Sequence, residues 1–221
     1  MLQSEAKSGG GAELIRLTHL VEARGPYRAG EYLFRQNEPS GVLFVVRYGI
    51  VKIRYPEVDG RECVGAFYLP GDVIGLRAIH ARRFAYDAVA LDTTYVCRYA
   101  FSAICALAER RPAIQEHLLR LLGRELHASR VLAAHYSAEE RIAAFLVHLG
   151  ERYARCGQSA TVFQLRMSRA DIGNYLRLAT ETVSRVLTRF RDRQLIHLKA
   201  RSVELLALER LRQVGRPLLT Y

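Results

Sequence analysis

Residues 167–193 read MSRADIGNYLRLATETVSRVLTRFRDR, and the pattern predicts two short helices joined by a tight turn. Ser168, three residues before Asp171, is a capping pattern that starts the first helix. Ile172 and Leu176 face inward, and Gly173 is small where the two helices must approach. In the second helix Val183, Val186, Leu187 and Phe190 share one face, while Glu181, Ser184, Arg185 and Thr188 share the other. This is the geometry of a helix-turn-helix, whose second helix enters the major groove of DNA. The polar face suits that place. Arg donates two hydrogen bonds to guanine O6 and N7, Glu accepts from cytosine N4, and Ser serves a base or a phosphate. Ser168, Arg169, Arg189, Arg191 and Arg193 surround this face and are expected to meet phosphates. An ordinary solvated amphipathic helix would show the charges alone. Here a cap, a small residue, a turn and a basic surround coincide.

Outward from this core, Leu195-Ile196-His197-Leu198 and Val203-Glu204-Leu205-Leu206 flank Lys199-Ala200-Arg201-Ser202. That reads as a hairpin, the wing of a winged helix, with Lys199 and Arg201 as further phosphate contacts. Upstream, Ser137-Ala138-Glu139-Glu140 is a capping box that opens a helix continuing through Leu149. His135-Tyr136 is the expected hinge before it. One long helix precedes the hinge, with Pro112 in its first turn. From Pro112 to Ala134 it would run roughly 35 Å at ~1.5 Å per residue. Its apolar positions Ile114, Leu118, Leu121, Leu122, Leu126 and Leu132 have helical spacing and are read as a dimerisation face.

Nearer the N-terminus the period changes. Leu14, Leu17, Leu20 and Val21 form a short helical pattern. Residues 32–34, 42–46, 50–55, 63–68 and 94–98 then read as strands. They are separated by turn signals at residues 37–41, Tyr48-Gly49, Asp59-Gly60 and Pro70-Gly71-Asp72. Asp59-Gly60 is the strongest hairpin signal. Many short strands at this spacing suggest a β-sandwich or barrel. The expected organisation is a flexible leader over 1–12, a β-rich sensor-like domain over 13–110, the dimerisation helix over 111–135 and a winged helix-turn-helix over 136–221.

Composition agrees with a DNA partner. The 221 residues carry 33 basic and 22 acidic side chains, a net charge of +11, which favours a polyanion. Thirty of the basic residues are Arg, suited to bidentate contacts. No apolar run approaches the ~20 residues of a membrane span, and no apolar signal core opens the chain. A cytoplasmic protein without a membrane partner is expected. Cys63, Cys97, Cys105 and Cys156 form no C-x-x-C pair, so reduced, mostly buried thiols are expected. The chain shows no phosphate loop, no metal-spaced His/Cys set and no nucleophile elbow, which speaks against an enzyme. A signalling module whose winged helix binds protein is the competing class, separated by a salt-dependent gel shift.

The chain resembles the CRP/FNR superfamily of bacterial transcription regulators over about residues 27–208. Glu139-Glu140-Arg141-Ile142-Ala143-Ala144-Phe145 and residues 167–190 are similar to its FNR subgroup nearly residue by residue. Phe34, Gly49-Ile50-Val51-Lys52 and Gly71-Asp72-Val73-Ile74-Gly75 match its β-domain landmarks. The resemblance implies an α+β fold. It consists of an N-terminal double-stranded β-helix of the cyclic-nucleotide-binding jelly-roll kind, a long dimerisation helix and a C-terminal winged helix-turn-helix. It implies a homodimer on double-stranded DNA, RNA polymerase as a further partner, and base reading by Glu181, Ser184 and Arg185 on an inverted repeat of TTGAT-like half-sites. CRP-type members carry an extra reading Arg where this chain has Thr180, which argues against CRP-type half-sites. Arg177 stands at the usual turn Gly, where a left-handed backbone would be strained by roughly 1 kcal/mol. Ala179 replaces the usual hydroxyl N-cap, a role Thr180 is positioned to take over.

The resemblance also names the signals such proteins sense. An FNR-type iron–sulfur cluster needs four thiolates, three of them N-terminal, yet no cysteine precedes Cys63. Cys97 alone falls on a ligand position and reads as a core thiol or relic, with a redox thiol as the alternative. Cyclic AMP needs a Glu where this chain has Leu76 and an Arg-Ser/Thr pair where it has Arg83-Phe84. Haem or another ligand in the β-domain stays open. His80, His117, His127 and His135 are lone histidines. The expected reading is an effector-independent regulator like the FixK-like branch, with no cofactor; a ligand- or redox-responsive regulator is the alternative.

Overall fold

The computed structural model describes residues 21–56, 62–128 and 136–219. The chain divides after Arg130 into two compact units. The first is built on strands β1 (Glu22–Tyr27), β2 (Tyr32–Phe34), β3 (Val42–Tyr48), β4 (Val51–Pro56), β5 (Glu62–Tyr68), β6 (Val73–Ile74), β7 (Asp87–Ala90) and β8 (Thr94–Ala100). They make two four-stranded antiparallel sheets, in the orders β1-β8-β3-β6 and β2-β7-β4-β5. Two helices follow, α1 (Phe101–Arg110) and α2 (Pro112–Ala128).

The run Val42-Leu43-Phe44-Val45-Val46 is apolar without alternation because β3 is covered on both faces. Phe44 and Val46 point into the roll, where they meet Phe34, Val51, Ile53, Tyr68, Ile74, Phe84, Tyr86, Ala88 and Val96. Leu43 and Val45 point the other way, with Val73, Leu76, Cys97 and Tyr99, onto Ile104 of α1 and Ile114 and Leu121 of α2. Gly49 turns the chain from β3 to β4 with φ 86°, and a Cβ there would fall 2.4 Å from the Thr94 hydroxyl. Only glycine meets both demands.

Aromatic rings pack between the sheets. Phe34 and Phe84 stack with centroids 3.7 Å apart, and Phe34 also meets Phe44 at 5.5 Å and Tyr86 at 5.8 Å. Burying each such ring contributes about 1.5–3 kcal/mol. One buried charge, Asp87, is fully occupied. Its carboxylate accepts from the Gln36 amide at 2.7 Å and from Arg54 Nε at 3.0 Å, as a desolvated carboxylate requires.

Three sequence expectations change here. Strands β1, β6 and β7 were not among those predicted. Helix α2 begins at Pro112, where the sequence places it, but a separate helix that was not predicted, α1, precedes it. The two are parted because Arg111 takes extended backbone and the residue before a proline is pushed out of helical geometry. The proposed dimerisation stripe is divided. Ile114 and Leu121 are buried in the unit's own core, and Leu118 and Leu122 pack partly against it. The physical reason is that the apolar helical spacing is spent on covering the outer face of the β1-β8-β3-β6 sheet. The Leu126 side chain, Leu132, the leader over 1–12, the pattern at Leu14 to Leu20 and the Asp59-Gly60 turn lie outside the described residues.

The second unit begins at α3 (Ala138–Arg155), followed by β9 (Val162–Gln164), α4 (Arg169–Leu176), α5 (Thr180–Asp192), β10 (Ile196–Lys199), β11 (Ser202–Leu205) and α6 (Leu208–Leu219). The expected capping box forms: Ser137 Oγ accepts from the Glu140 amide at 3.2 Å, and the Glu140 carboxylate accepts from the Ser137 amide at 2.7 Å. The Ser137 hydroxyl, first, and the Ser137 amide favour the charged Glu140 carboxylate and hold its pKa below the ordinary range. Helix α3 is the hub, burying Ile142, Ala143, Ala144, Phe145, Leu146, Val147, Leu149 and Tyr153. Helix α6 crosses it at Gly215, where a Cβ would stand 2.8 Å from the Ala144 nitrogen. The strands form one antiparallel sheet in the order β10-β11-β9.

Candidate nucleic-acid interface

The first helix of the motif, α4, starts where Ser168 Oγ accepts from the Asp171 amide at 2.9 Å and donates to the Asp171 carboxylate at 2.7 Å. It ends at Arg177, in left-handed backbone with φ 56° and ψ 49°. The Arg177 amide donates to Asn174 O and the Leu178 amide to Gly173 O. A Cβ on Gly173 would meet Leu178 O at 2.6 Å, so the turn requires the glycine that the sequence supplies. Arg141, on α3, adds a brace: its guanidinium donates to Leu176 O at 3.0 Å.

The second helix, α5, is sharply two-sided. Val183, Val186, Leu187 and Phe190 are buried. Thr180, Glu181, Ser184, Arg185 and Thr188 are exposed. That is the pair of faces the sequence predicts. Among the described residues, Thr180, Glu181, Ser184 and Arg185 take no side-chain hydrogen bond or ion pair. Four polar groups thus stand on one exposed stripe with their bonding capacity unspent. Ala179 is the N-cap, and no side chain accepts from the first amides of α5. Thr180 lies inside the helix as its first residue and does not take over the capping role.

The expected phosphate contacts separate into three kinds. Lys199 and Arg201 are exposed at the β10–β11 turn and, among the described residues, have no partner for their cationic groups. Ser168 spends its hydroxyl on the cap, and burial of Arg169 lowers its pKa. The arginines at the end of α5 are engaged internally. Glu139, on α3, receives Arg189 on one carboxylate oxygen and Arg193 on the other, both at 3.2 Å. Arg191 bonds the neighbouring Asp192 at 2.9 and 3.0 Å. Glu139 and Arg141 are the residues that sequence reasoning missed as parts of the site. Local pattern placed both on a helix, and only the fold brings them to the reading head.

Cys97, the possible redox thiol, is buried on β8, and that burial raises its pKa. A reactive thiol needs the opposite, an exposed site that favours thiolate. Of the positions compared with a cyclic-nucleotide site, Leu76 is buried in a one-turn helix, and Phe84 is 2% exposed in the aromatic stack. Arg83 donates to the Asn37 carbonyl. Among the described residues, no cluster of three or more His, Cys, Asp or Glu is arranged to hold a metal ion. No described helix is long and apolar enough to cross a membrane.

Known proteins place this arrangement. Residues 140–214 match the Crp-like helix-turn-helix domain, and residues 24–111 match the cyclic nucleotide-binding domain. The chain is 40% identical to the transcriptional activator protein anr of Pseudomonas aeruginosa, over 88% of this chain and 81% of that one. It is 37% identical to the electron transport regulator A of Shewanella oneidensis, over 86% and 78%. Its fold matches the structure of FixK2 from Bradyrhizobium japonicum with a TM-score of 0.79 at 30% identity, covering 88% of this chain and 96% of that one. With a β-roll, a two-sided reading helix and a wing all in their places, the chain belongs to the CRP/FNR family of DNA-binding transcription regulators.

Proposed function

We propose that this regulator binds DNA as a homodimer at an inverted repeat of TTGAT-like half-sites, and that it does so without cyclic AMP or an iron–sulfur cluster. The observation that carries the reading is the unspent stripe of Thr180, Glu181, Ser184 and Arg185 on a helix whose opposite face is buried. Two such helices one DNA turn apart, ~34 Å, would read two half-sites. Dimerisation through α2 then rests on its outer side, where Leu119 is 62% exposed, and on Leu122. Ile114 and Leu121 serve the core.

The β-roll residues do not fit a cyclic nucleotide. Leu76 offers no carboxylate to a ribose. Phe84 offers no hydroxyl to a phosphate, and its ring stacks on Phe34. The cysteines do not fit a cluster, since Cys97 is a buried core thiol with no cysteine before Cys63 in the chain. The buried Phe34–Phe84 stack supports a regulator governed by its abundance. We further propose that it acts in the cytoplasm with RNA polymerase as its further partner and without catalytic activity of its own. The test is fluorescence anisotropy with a TTGAT inverted repeat and a scrambled duplex across a salt series, together with the absorption spectrum of anaerobically prepared protein. Tight binding to the repeat by colourless protein, without added nucleotide, is expected. Equal affinity for both duplexes would overturn the half-site reading, and a visible chromophore would overturn the cofactor reading.

A further inference from the structure

The C-terminal end of the reading helix carries Arg189, Arg191 and Arg193, and every one of them already has an internal carboxylate. Within α5, Arg185 alone has none among the described residues. Arg189 and Arg193 lie one helical turn apart, so their like charges repel unless something stands between them. Glu139 does. Its side chain is 25% exposed, against 53% and 59% for the two arginines, and it offers one oxygen to each. The placement is favoured from both sides, because Glu139 sits in the first turn of α3 and the arginines sit at the end of α5. Each charge therefore lies at the helix terminus that stabilises it.

We propose that Glu139 is a specificity-setting residue, an internal anion that occupies Arg189 and Arg193 and keeps them off the DNA phosphates. The inference rests on the reading of α5 as the helix that enters DNA. Phosphate contacts bind every sequence alike, whereas base contacts discriminate. Holding two guanidiniums on a tethered carboxylate lowers the sequence-independent part of binding. It leaves Arg185, Lys199 and Arg201 as the free cations named at the interface. The discrimination between sites rises accordingly.

The salt dependence of binding to a scrambled duplex tests this directly, because each phosphate contact adds about 0.9 to the slope of log K against log salt. Glu139→Gln keeps the shape of the side chain and removes its charge. It is expected to steepen the slope by about 1 to 2 per reading head and to reduce the preference for the TTGAT repeat over the scrambled duplex. An unchanged slope overturns the proposal. In an Arg189→Gln/Arg193→Gln background the same substitution should leave the slope where it was. Equal steepening there would mean that bulk charge and not the fork is responsible, which also overturns it. The double arginine variant alone gives a measurement that does not depend on Glu139→Gln folding well. Its slope should match that of the unaltered protein, and a fall of about 2 per reading head would show that both arginines already contact phosphate. Lys199→Ala, which removes a free cation, should lower the slope by about 1 and calibrates the scale. A protein that binds both duplexes equally would fail the half-site reading while leaving these slopes to decide the role of Glu139.

Discussion

The β-roll is marked by aromatic side chains turned inward, and the reading helix by polar side chains turned outward. In the β-roll, Phe34, Phe44 and Phe84 are turned inward and stacked, with Tyr86 tilted against them. In the winged helix, Glu181 and Arg185 are held outward with no side-chain partner among the described residues. The first unit spends these rings on itself, and the second leaves the polar stripe of α5 exposed. Both units match family models, the cyclic nucleotide-binding domain and the Crp-like helix-turn-helix, yet the side chains that characterise each face opposite ways.

The most damaging way to test that contrast is Phe84→Ala. Losing a stacked, buried ring should destabilise the β-roll by about 3–5 kcal/mol, seen as an earlier transition of that unit in urea. A loss below about 1 kcal/mol would mean the roll is not packed by this ring. On the other side, Arg185→Ala should cost about 1–3 kcal/mol of specific binding and relax the choice at one base pair, with folding untouched. Retained preference between the TTGAT repeat and a scrambled duplex would remove Arg185 from the reading set.

Two smaller effects sharpen the second unit. Ser137→Ala removes one half of the capping box and should cost about 1 kcal/mol. It should also change the acid limb. Ser137 holds the Glu140 carboxyl below its ordinary pKa, so this contribution is present above the unfolded value and disappears as pH falls through the folded one. The variant should lose less stability over that acid window, and identical limbs would contradict the cap. Arg177→Gly should act in the opposite direction, stabilising by about 1 kcal/mol at most, because it relieves left-handed backbone at a non-glycine residue. A loss of stability on thermal melting would show that the arginine side chain contributes more than its backbone costs.

The reading head was legible because its signals are local. The caps at Ser137 and Ser168, the close approach at Gly173 and the apolar stripe of α5 each lie within a few residues of sequence. The left-handed turn was legible as a departure at Arg177, and that residue does take left-handed backbone. The roll was legible only where strands are long. Strand β6 has two residues, too few to show a period, and β1 contains Gly25-Pro26 and is exposed along most of its length. The division of the α2 stripe was illegible for another reason. Helical spacing says that a face is covered and does not say by what, and here the chain's own sheet covers Ile114 and Leu121. Contacts such as Glu139 to Arg193, 54 residues apart, have no sequence signature at all.

The alanine at the N-cap of α5 has a consequence for how firmly the reading head is held before it meets its site. A helix normally closes its first amides with a side-chain oxygen, worth about 1 kcal/mol, and here position 179 has none to give. Those amides are left to solvent until an anion reaches them. The opening turn, which carries Thr180 and Glu181, is then the most easily frayed part of α5, and its amide hydrogens should exchange faster than those around Val186 and Leu187. A phosphate reaching those amides on docking would complete the helix, and part of the rigidity of the reading head would then come from the nucleic acid.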